Sequence, residues 1–222
     1  MTPNNFTIGL DLGGTNLRAA AIDRDGRMLD SVSGRTPYSA GREAIVRDMV
    51  DSIDALRGRF GSQHLQGIGV AVPGFILIEK GIITNANNLA SLENFAIRDE
   101  ISQRLGTPVI LENDANAAAL GEKWIGSGRD VNDLVLITLG TGIGGGIISN
   151  GDVLRGHLGM AGELGHITVV PNGNPCGCGN RGCVEKHASA TAITATAKLL
   201  GLGDSLSAKQ VYDLAIGGNE KA

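Results

Sequence analysis

The N-terminal residues alternate apolar and polar positions in a pattern that predicts a hairpin. Apolar side chains recur at every second position over residues 6–11, which is typical of a β-strand. Residues 12–16, Leu-Gly-Gly-Thr-Asn, form a turn, and residues 17–22 continue as a second strand. The glycine turn is therefore expected to join two strands, and not a strand and a helix.

The next long apolar pattern has a period of three to four residues. Ile45, Met49 and Ile53 belong to one such row between residues 42 and 60, which predicts an amphipathic helix. A helix rich in alanine is expected over 115–125. The same reasoning predicts strands at 67–72, 108–112 and 134–139, a further strand ending at 148, and helices at 191–200 and 207–216.

Two segments of the chain resemble each other. Residues 10–15 and 136–141 each contain a strand followed by a Gly/Thr turn, and a second strand follows each turn. A repeat of this kind indicates two related lobes that face each other across a cleft. We place the boundary near Asn113, which gives a small N-terminal lobe at 1–113 and a large C-terminal lobe at 114–222.

Composition and charge exclude several classes of protein. Glycine makes up 34 of the 222 residues and apolar residues 42%, so the chain is globular and its many glycines serve tight turns. With 19 basic against 23 acidic residues and 3% aromatics, the chain lacks the charge and the stacking surface of a nucleic-acid-binding protein. No apolar run is long enough to span a membrane and no secretory signal is visible, which predicts a cytoplasmic protein.

The two glycine turns have the pattern of a phosphate site. A Gly/Thr turn between strands directs backbone N–H groups and a hydroxyl toward one point, and glycine leaves room for phosphate oxygens. Asp11, at the end of the first strand, is a carboxylate placed to hold Mg²⁺. The second turn lacks the helix that a dinucleotide-binding turn requires. Plain glycine hairpins are the alternative. The candidates for binding a phosphorylated cofactor are Asp11, Gly13, Gly14, Thr15, Asn16, Thr141 and Gly142.

Asn113 and Asp114 stand where a buried strand meets the alanine-rich helix. From the residues alone, the favoured role at this point is an N-cap, which typically stabilises a helix by about 1 kcal/mol. A carboxylate at the end of a strand, at the mouth of a cleft, could also take a proton from a substrate hydroxyl, as phosphoryl transfer requires. Both roles can coexist across this pair of residues.

Three cysteines and one histidine have the composition of a structural zinc site. They lie around a segment of turn-forming residues that offers almost no apolar side chain for burial, so a metal would supply its order. Four protein ligands leave no open position, which argues against catalytic zinc. Free thiols in a surface loop are the alternative. Glu163 and Glu185 flank the segment, and their spacing fits polyol binding and solvated surface positions equally. The predicted Zn²⁺ ligands are His166, Cys176, Cys178 and Cys183.

Taken in order, these motifs resemble those of the ROK family of sugar kinases and repressors. The similarity extends over essentially the whole chain, and residues 111–192 look most like bacterial ATP-dependent glucokinases. The pattern of the zinc segment is highly specific. The matching motifs are Asp11-Leu-Gly-Gly-Thr, Glu112-Asn-Asp-Ala-Asn, Leu139-Gly-Thr-Gly-Ile-Gly-Gly-Gly, Gly162-Glu-Leu-Gly-His and Cys176-Gly-Cys-Gly-Asn-Arg-Gly-Cys-Val-Glu.

The resemblance implies an α/β protein with the ribonuclease-H-like fold of the actin, hexokinase and Hsp70 superfamily, with two lobes around a cleft. It implies that Asp114 is the general base for attack of the sugar 6-hydroxyl on ATP, with Mg²⁺ positioned by Asp11. Both glycine turns would hold the phosphates, and His166 would serve zinc and sugar alike. A homodimer is also expected. The residues implied in sugar binding are Asn113, Asp114, Glu163, His166 and Glu185.

Two departures from the family pattern shape the prediction. Kinases of the family are longer and carry a further adenosine-binding segment, so the second lobe is expected to be incomplete at its C-terminus. Only ten residues precede Asp11, which leaves no room for the helix-turn-helix of the repressors. The sequence therefore predicts an ATP-dependent glucokinase. The alternatives are an inactive sugar-binding or regulatory fragment, or a kinase for fructose, mannose or an N-acetylated amino sugar.

Overall fold

The structure is a computed structural model that describes residues 5–86 and 89–222. Residues 1–4, part of the start that argues against a secretory signal, lie outside the described residues. The chain forms two compact units: the first contains the residues up to Val131 together with Arg155–Ala161, and the second contains Asn132–Leu154 and Gly162–Ala222. These units differ from the predicted lobes, because the helix that begins at Asp114 packs on the first sheet.

The first unit contains a mixed sheet, a short ribbon and helices. Its strands are β1 (Phe6–Leu12), β2 (Asn16–Asp23), β3 (Met28–Arg35), β4 (Leu65–Val72), β5 (Phe75–Leu77), β6 (Ile82–Asn85) and β7 (Ile110–Asn113). Its helices are α1 (Arg42–Phe60), α2 (Ile97–Leu105) and α3 (Asp114–Trp124). The sheet has the order β3-β2-β1-β4-β7, in which β1 pairs antiparallel with β2 and parallel with β4. The ends of β1 and β7 therefore lie at the same edge of the sheet, with β4 between them.

The core of the first unit is a continuous aliphatic cluster to which β1 and α1 both contribute. Leu10 and Leu12 of β1 are buried, as are Ile45, Met49 and Ile53 of α1. The buried side chains of β1 repeat every two residues and those of α1 every three to four, which presents one apolar face from each element. This cluster fixes the strands whose ends carry the first glycine turn and Asn113.

The second unit has a smaller sheet. Its elements are β8 (Leu134–Leu139), β9 (Ile143–Ser149), β10 (Asp152–Val153), α4 (Glu185–Ala188), α5 (Ala190–Leu199) and α6 (Ala208–Ile216). The three strands form an antiparallel sheet in the order β10-β9-β8, so β8 is an edge strand among the residues described. No helix in the described part of the chain is long and apolar enough to cross a membrane.

Most of the predicted elements are present, with ends shifted by one or two residues. α1 has the predicted bounds, and both glycine turns join antiparallel strands as expected. β3 was not predicted, and its side chains show no regular alternation of buried and exposed positions. α2 was not predicted either, although Ile97, Ile101 and Leu105 recur every four residues and all three are buried.

Candidate active site and metal centre

The junction of β7 and α3 carries the candidate base. Asn113 is the N-cap of α3, because its side-chain oxygen accepts hydrogen bonds from Ala115 N at 2.9 Å and Asn116 N at 3.1 Å. Its amide nitrogen donates to the carbonyl of Gly74 at 3.2 Å. The cap role that the sequence assigned to this pair is therefore filled by Asn113. Asp114 is the first residue of the helix, and its Oδ1 accepts a hydrogen bond from Ala115 N at 2.8 Å.

Two carboxylates near this edge of the sheet have altered acidity. Asp114 reaches solvent, but the surrounding protein partly desolvates its carboxylate, and this raises its pKa above the ordinary value. The negative charge of Asp11 acts in the same direction. Partial burial likewise raises the pKa of Asp11, while the nearby Arg18 opposes that shift. A raised pKa makes Asp114 a stronger proton acceptor than an ordinary aspartate.

Glu112, for which the sequence predicted no role, is hydrogen-bonded to residues of the same junction. The residue is 8% exposed, and its Oε2 accepts from Nε and Nη2 of Arg155 at 2.9 and 2.6 Å. Its Oε1 accepts from Asn113 N at 3.0 Å and from Asn116 Nδ2 at 3.2 Å. Arg155 follows Glu112 by 43 residues, so no local spacing could have indicated this ion pair.

The first glycine turn is open to solvent and braced from one side. Gly14, Thr15 and Asn16 are exposed. The hydroxyl of Thr36 donates to the carbonyl of Gly13 at 2.7 Å, and its backbone N–H donates to the carbonyl of Thr15 at 3.0 Å. These two bonds hold carbonyl groups of the turn. They fix the orientation of its peptide units, and the turn itself stays exposed to solvent.

The second glycine turn lies beside Glu185. The Oε2 atom of Glu185 accepts a hydrogen bond from Ile143 N at 3.0 Å, and a Cβ at Gly142 would collide with the same oxygen. Thr191 at the start of α5 donates its hydroxyl to the carbonyl of Thr141 at 2.7 Å. Within the second unit, the structure thus brings a predicted sugar ligand to the predicted phosphate turn.

The segment from Gly162 to His166 packs directly on β9. A Cβ at Gly165 would collide with the carbonyl of Ile143, so only glycine permits this approach. The imidazole of His166 then lies between two partners. Its Nδ1 is 3.4 Å from Cys176 Sγ, and its Nε2 is 3.8 Å from a carboxylate oxygen of Glu163. The two ring nitrogens can therefore serve a metal and a polar ligand at the same time.

The four predicted zinc ligands converge. One ligand atom from each lies within 4.8 Å of the other three, and the sulfurs of Cys178 and Cys183 are 3.7 Å apart. Tetrahedral Zn²⁺ with bonds of about 2.3 Å to sulfur would separate two thiolates by about 3.8 Å. The donor set and its spacing therefore fit Zn²⁺. Burial, reinforced by the neighbouring sulfurs, raises the pKa of the Cys183 thiol to about 12.

The candidate residues are divided between the two units. In the first unit, β1 and its turn supply Asp11 to Asn16, and the β7–α3 junction supplies Asn113 and Asp114. In the second unit, the turn after β8, the Gly162–His166 segment and the cysteine loop supply the rest. Chemically, the first unit offers a carboxylate able to accept a proton and a glycine turn suited to phosphate, and the second offers a further such turn with carboxylate and imidazole groups suited to a polyol.

The sequence profile of the ROK family matches residues 7–222. The chain is 39% identical to a glucokinase of Thermotoga maritima over 99% of this chain and 73% of that protein. It is 44% identical to a glucokinase of Halalkalibacterium halodurans over 86% of this chain and 58% of that protein. It is 37% identical to an N-acetylmannosamine kinase of Escherichia fergusonii over 97% of this chain and 72% of that protein. The chain thus spans 58–73% of the length of these relatives.

Solved structures give the same result for the fold. A ROK hexokinase from Thermus thermophilus is 35% identical, with a TM-score of 0.83 over 97% of this chain and 70% of that one. A ROK family glucokinase from Streptomyces griseus, solved with glucose and AMPPNP, is 37% identical, with a TM-score of 0.77 over 98% and 73%. The predicted α/β fold is confirmed as that of the ROK hexokinases.

Proposed function

The chain belongs to the ROK family, and we propose that it phosphorylates the 6-hydroxyl of glucose with ATP, using Asp114 as the general base. The observation that carries the proposal is the β7–α3 junction. There Asn113 takes the cap role and Asp114 stays accessible to solvent with a raised pKa. The named relatives are sugar kinases, and the Streptomyces griseus relative was solved with glucose and AMPPNP.

Asp114 would take the proton of the sugar hydroxyl as that oxygen attacks the γ-phosphoryl group of ATP. The oxygen–phosphorus bond to the sugar forms, the bond to ADP breaks, and the proton ends on the carboxylate. A carboxylate with a raised pKa holds that proton better, which makes the hydroxyl oxygen a better nucleophile. The hydrogen bond from Ala115 N to Oδ1 limits rotation of the carboxylate.

We propose that the two glycine turns hold the phosphates and that Asp11 holds Mg²⁺. Mg²⁺, when bound, would neutralise the charge that develops on the transferred phosphoryl group. The exposed residues Gly14, Thr15 and Asn16 in one turn support the assignment, as does Thr141 in the other. The bonds from Thr36 and Thr191 to carbonyl groups of the turns keep their peptide units in one orientation.

Sugar hydroxyls would be bound by Asn113, Glu163, His166 and Glu185. The cluster around His166 supports this assignment, because a Zn²⁺ ion on Nδ1 would leave Nε2 free to act as a donor toward a polar ligand. Zn²⁺ would then hold the sugar-binding loop in shape without taking part in the transfer.

The proposal is tested by ATP-dependent phosphorylation of a panel of sugars, with Asp114→Asn as the key variant. Loss of the base should lower turnover of glucose by about 10²–10⁴-fold while glucose affinity stays close to that of the wild type. Asp99→Asn, on the exposed surface of α2, is the matched control and should leave turnover unchanged. Equal turnover in Asp114→Asn would exclude Asp114 as the base.

The same assay separates the alternative functions. Glucose binding without turnover would identify the chain as a sugar-binding fragment, which its coverage of 58–73% of the named relatives makes a real alternative. A preference for N-acetylmannosamine would agree with the similarity to the Escherichia fergusonii kinase, which is 37% identical. We further propose a cytoplasmic homodimer, and sedimentation of the purified chain tests the dimer.

A further inference from the structure

A short segment returns from the second unit to the first. Arg155–Ala161 belongs to the first unit, although the residues before and after it belong to the second. The Arg155 guanidinium holds it there through the two hydrogen bonds to Oε2 of Glu112, at 2.6 and 2.9 Å. The segment also lies close to β5, because a Cβ at Gly159 would collide with the carbonyl of Ile76.

The carboxylate of Glu112 is the point at which this segment meets the candidate base. Its side chain is 11% exposed, and its two oxygens accept four hydrogen bonds. Two come from Arg155, one from the backbone N–H of Asn113, and one from the side chain of Asn116 in the first turn of α3. Glu112 therefore binds residues on both sides of Asp114, namely Asn113 before it and Asn116 after it.

We propose that Arg155 and Glu112 form a positioning pair that fixes the strand-to-helix junction on which Asp114 acts as the catalytic base. The catalytic role of Asp114 in this inference rests on the proposed kinase function, whereas the geometry of the Arg155–Glu112 pair does not depend on it. Neither residue is assigned to phosphate, sugar or zinc. Their role is to act through the backbone of Asn113 and the first turn of α3.

Both members of the pair are needed for physical reasons. A buried carboxylate is stable only when its charge is compensated, and breaking such a pair on one side leaves an uncompensated charge. Without Arg155, Glu112 would be an anion with no cationic partner, two residues before Asp114. Without Glu112, the donors of Asn113 and Asn116 lose their acceptor, and the Arg155 cation is left unpaired.

The two members of the pair carry opposite charges, so they should shift the pKa of Asp114 in opposite directions. Among the described residues, the charge of Asp11 on β1 also raises the pKa of Asp114, and Arg18 on β2 lowers the pKa of Asp11. Together, Arg155 and Glu112 are neutral. Removal of Arg155 alone should raise the pKa of Asp114, and removal of the Glu112 charge alone should lower it. Removal of both charges should restore the wild-type value, because the pair is again neutral.

The experiment is a titration of the Asp114 carboxyl by carbon-13 NMR in the full 222-residue chain, with Asp114→Asn used for assignment. Arg155→Met should shift the pKa of Asp114 upward by about half a unit, Glu112→Gln should shift it downward, and the double variant should return close to wild type. Arg104→Met, which breaks an ion pair with Glu43 and Glu100 elsewhere in the first unit, is the matched control and should leave it unchanged.

Kinetics add a second readout. Arg155→Met should lower kcat for glucose at least about tenfold with a smaller change in KM, and Arg155→Lys should recover part of the loss. A purely structural pair would lower the melting temperature but leave the Asp114 titration and kcat as in Arg104→Met, and that result would overturn the inference. A wild-type chain that neither binds nor phosphorylates a sugar would overturn the kinase proposal instead, and the titration would still be readable.

Discussion

β1 and β8 are both apolar strands that precede a glycine turn, but their exposure is opposite. Each is a strand that ends in a glycine turn and pairs antiparallel with the strand after that turn. Leu10 and Leu12, the third-last and last residues of β1, are 2% and 0% exposed, whereas Ile137 and Leu139, the third-last and last residues of β8, are 56% and 74% exposed. β1 is flanked by β2 and β4, while the described part of the chain pairs β8 only with β9.

The difference shows that an apolar strand sequence predicts a strand but does not determine which segment covers it. The covering comes from other segments, and in the first unit α1 supplies it with a row of buried aliphatic side chains. The described residues of the second unit contribute no member of this buried cluster, and they bring His166 together with three cysteines. The first unit is stabilised mainly by burial, and we expect the second to depend on the Zn²⁺ that its cluster of His166 and three cysteines is proposed to bind.

The largest effect that tests this contrast is expected from removal of the proposed Zn²⁺. Strong chelation, or Cys183→Ser, should increase amide hydrogen exchange across residues 166–188 by at least about tenfold, because bound metal supplies the order that burial does not. The fluorescence of Trp124, the single tryptophan and a residue of the first unit, should hardly change. Elemental analysis should find one Zn²⁺ per chain.

His157→Ala is the control for metal content, since His157 lies in the first unit outside the cluster. It should retain the zinc, and His166→Ala should lose it. Unchanged exchange over 166–188 in metal-free protein would mean that the loop is ordered by its own hydrogen bonds, and the contrast between the units would fail.

A matched pair of truncations tests the contrast at the level of one side chain. Leu12→Ala should lower the free energy of unfolding of the first unit by about 2–5 kcal/mol, because Leu12 is fully buried. Leu139→Ala, at the last residue of β8, should change the stability of the second unit by about 0.5 kcal/mol or less. Urea unfolding followed by Trp124 fluorescence reports the first unit, and hydrogen exchange over 134–149 reports the second. A large cost at Leu139 would show that its side chain is covered in solution.

A further small effect concerns Asp114, where a change that removes the proposed base should increase stability. Its pKa is raised in the folded state, so the unfolded chain loses the proton first as pH rises, and stability falls between the unfolded and folded pKa values. Asp114→Asn removes this penalty and should stabilise the first unit at neutral pH by less than about 1 kcal/mol, because water screens the accessible side chain. Below about pH 3, where the carboxyl is protonated in both states, the two proteins should unfold at the same urea concentration.

The sequence predicted those features that depend on short-range pattern. The row of Ile45, Met49 and Ile53 predicted α1, and the glycine turns predicted both hairpins. The convergence of the four candidate zinc ligands also agrees with the prediction. Features that depend on distant segments were not predicted. The pairing of Arg155 with Glu112 and the return of Arg155–Ala161 to the first unit follow from tertiary packing, which leaves no periodic trace in the sequence.

The return of Arg155–Ala161 also has a consequence for the order in which the protein is made. A ribosome adds about 5–20 residues per second, so Arg155 follows Val131 by roughly one to five seconds. During that interval, β8 and β9 are synthesised while Glu112 still lacks its cationic partner. The junction that carries Asp114 can therefore reach its final form only after the chain has grown well into the second unit, and folding of the first unit ends later than its own first 131 residues would suggest.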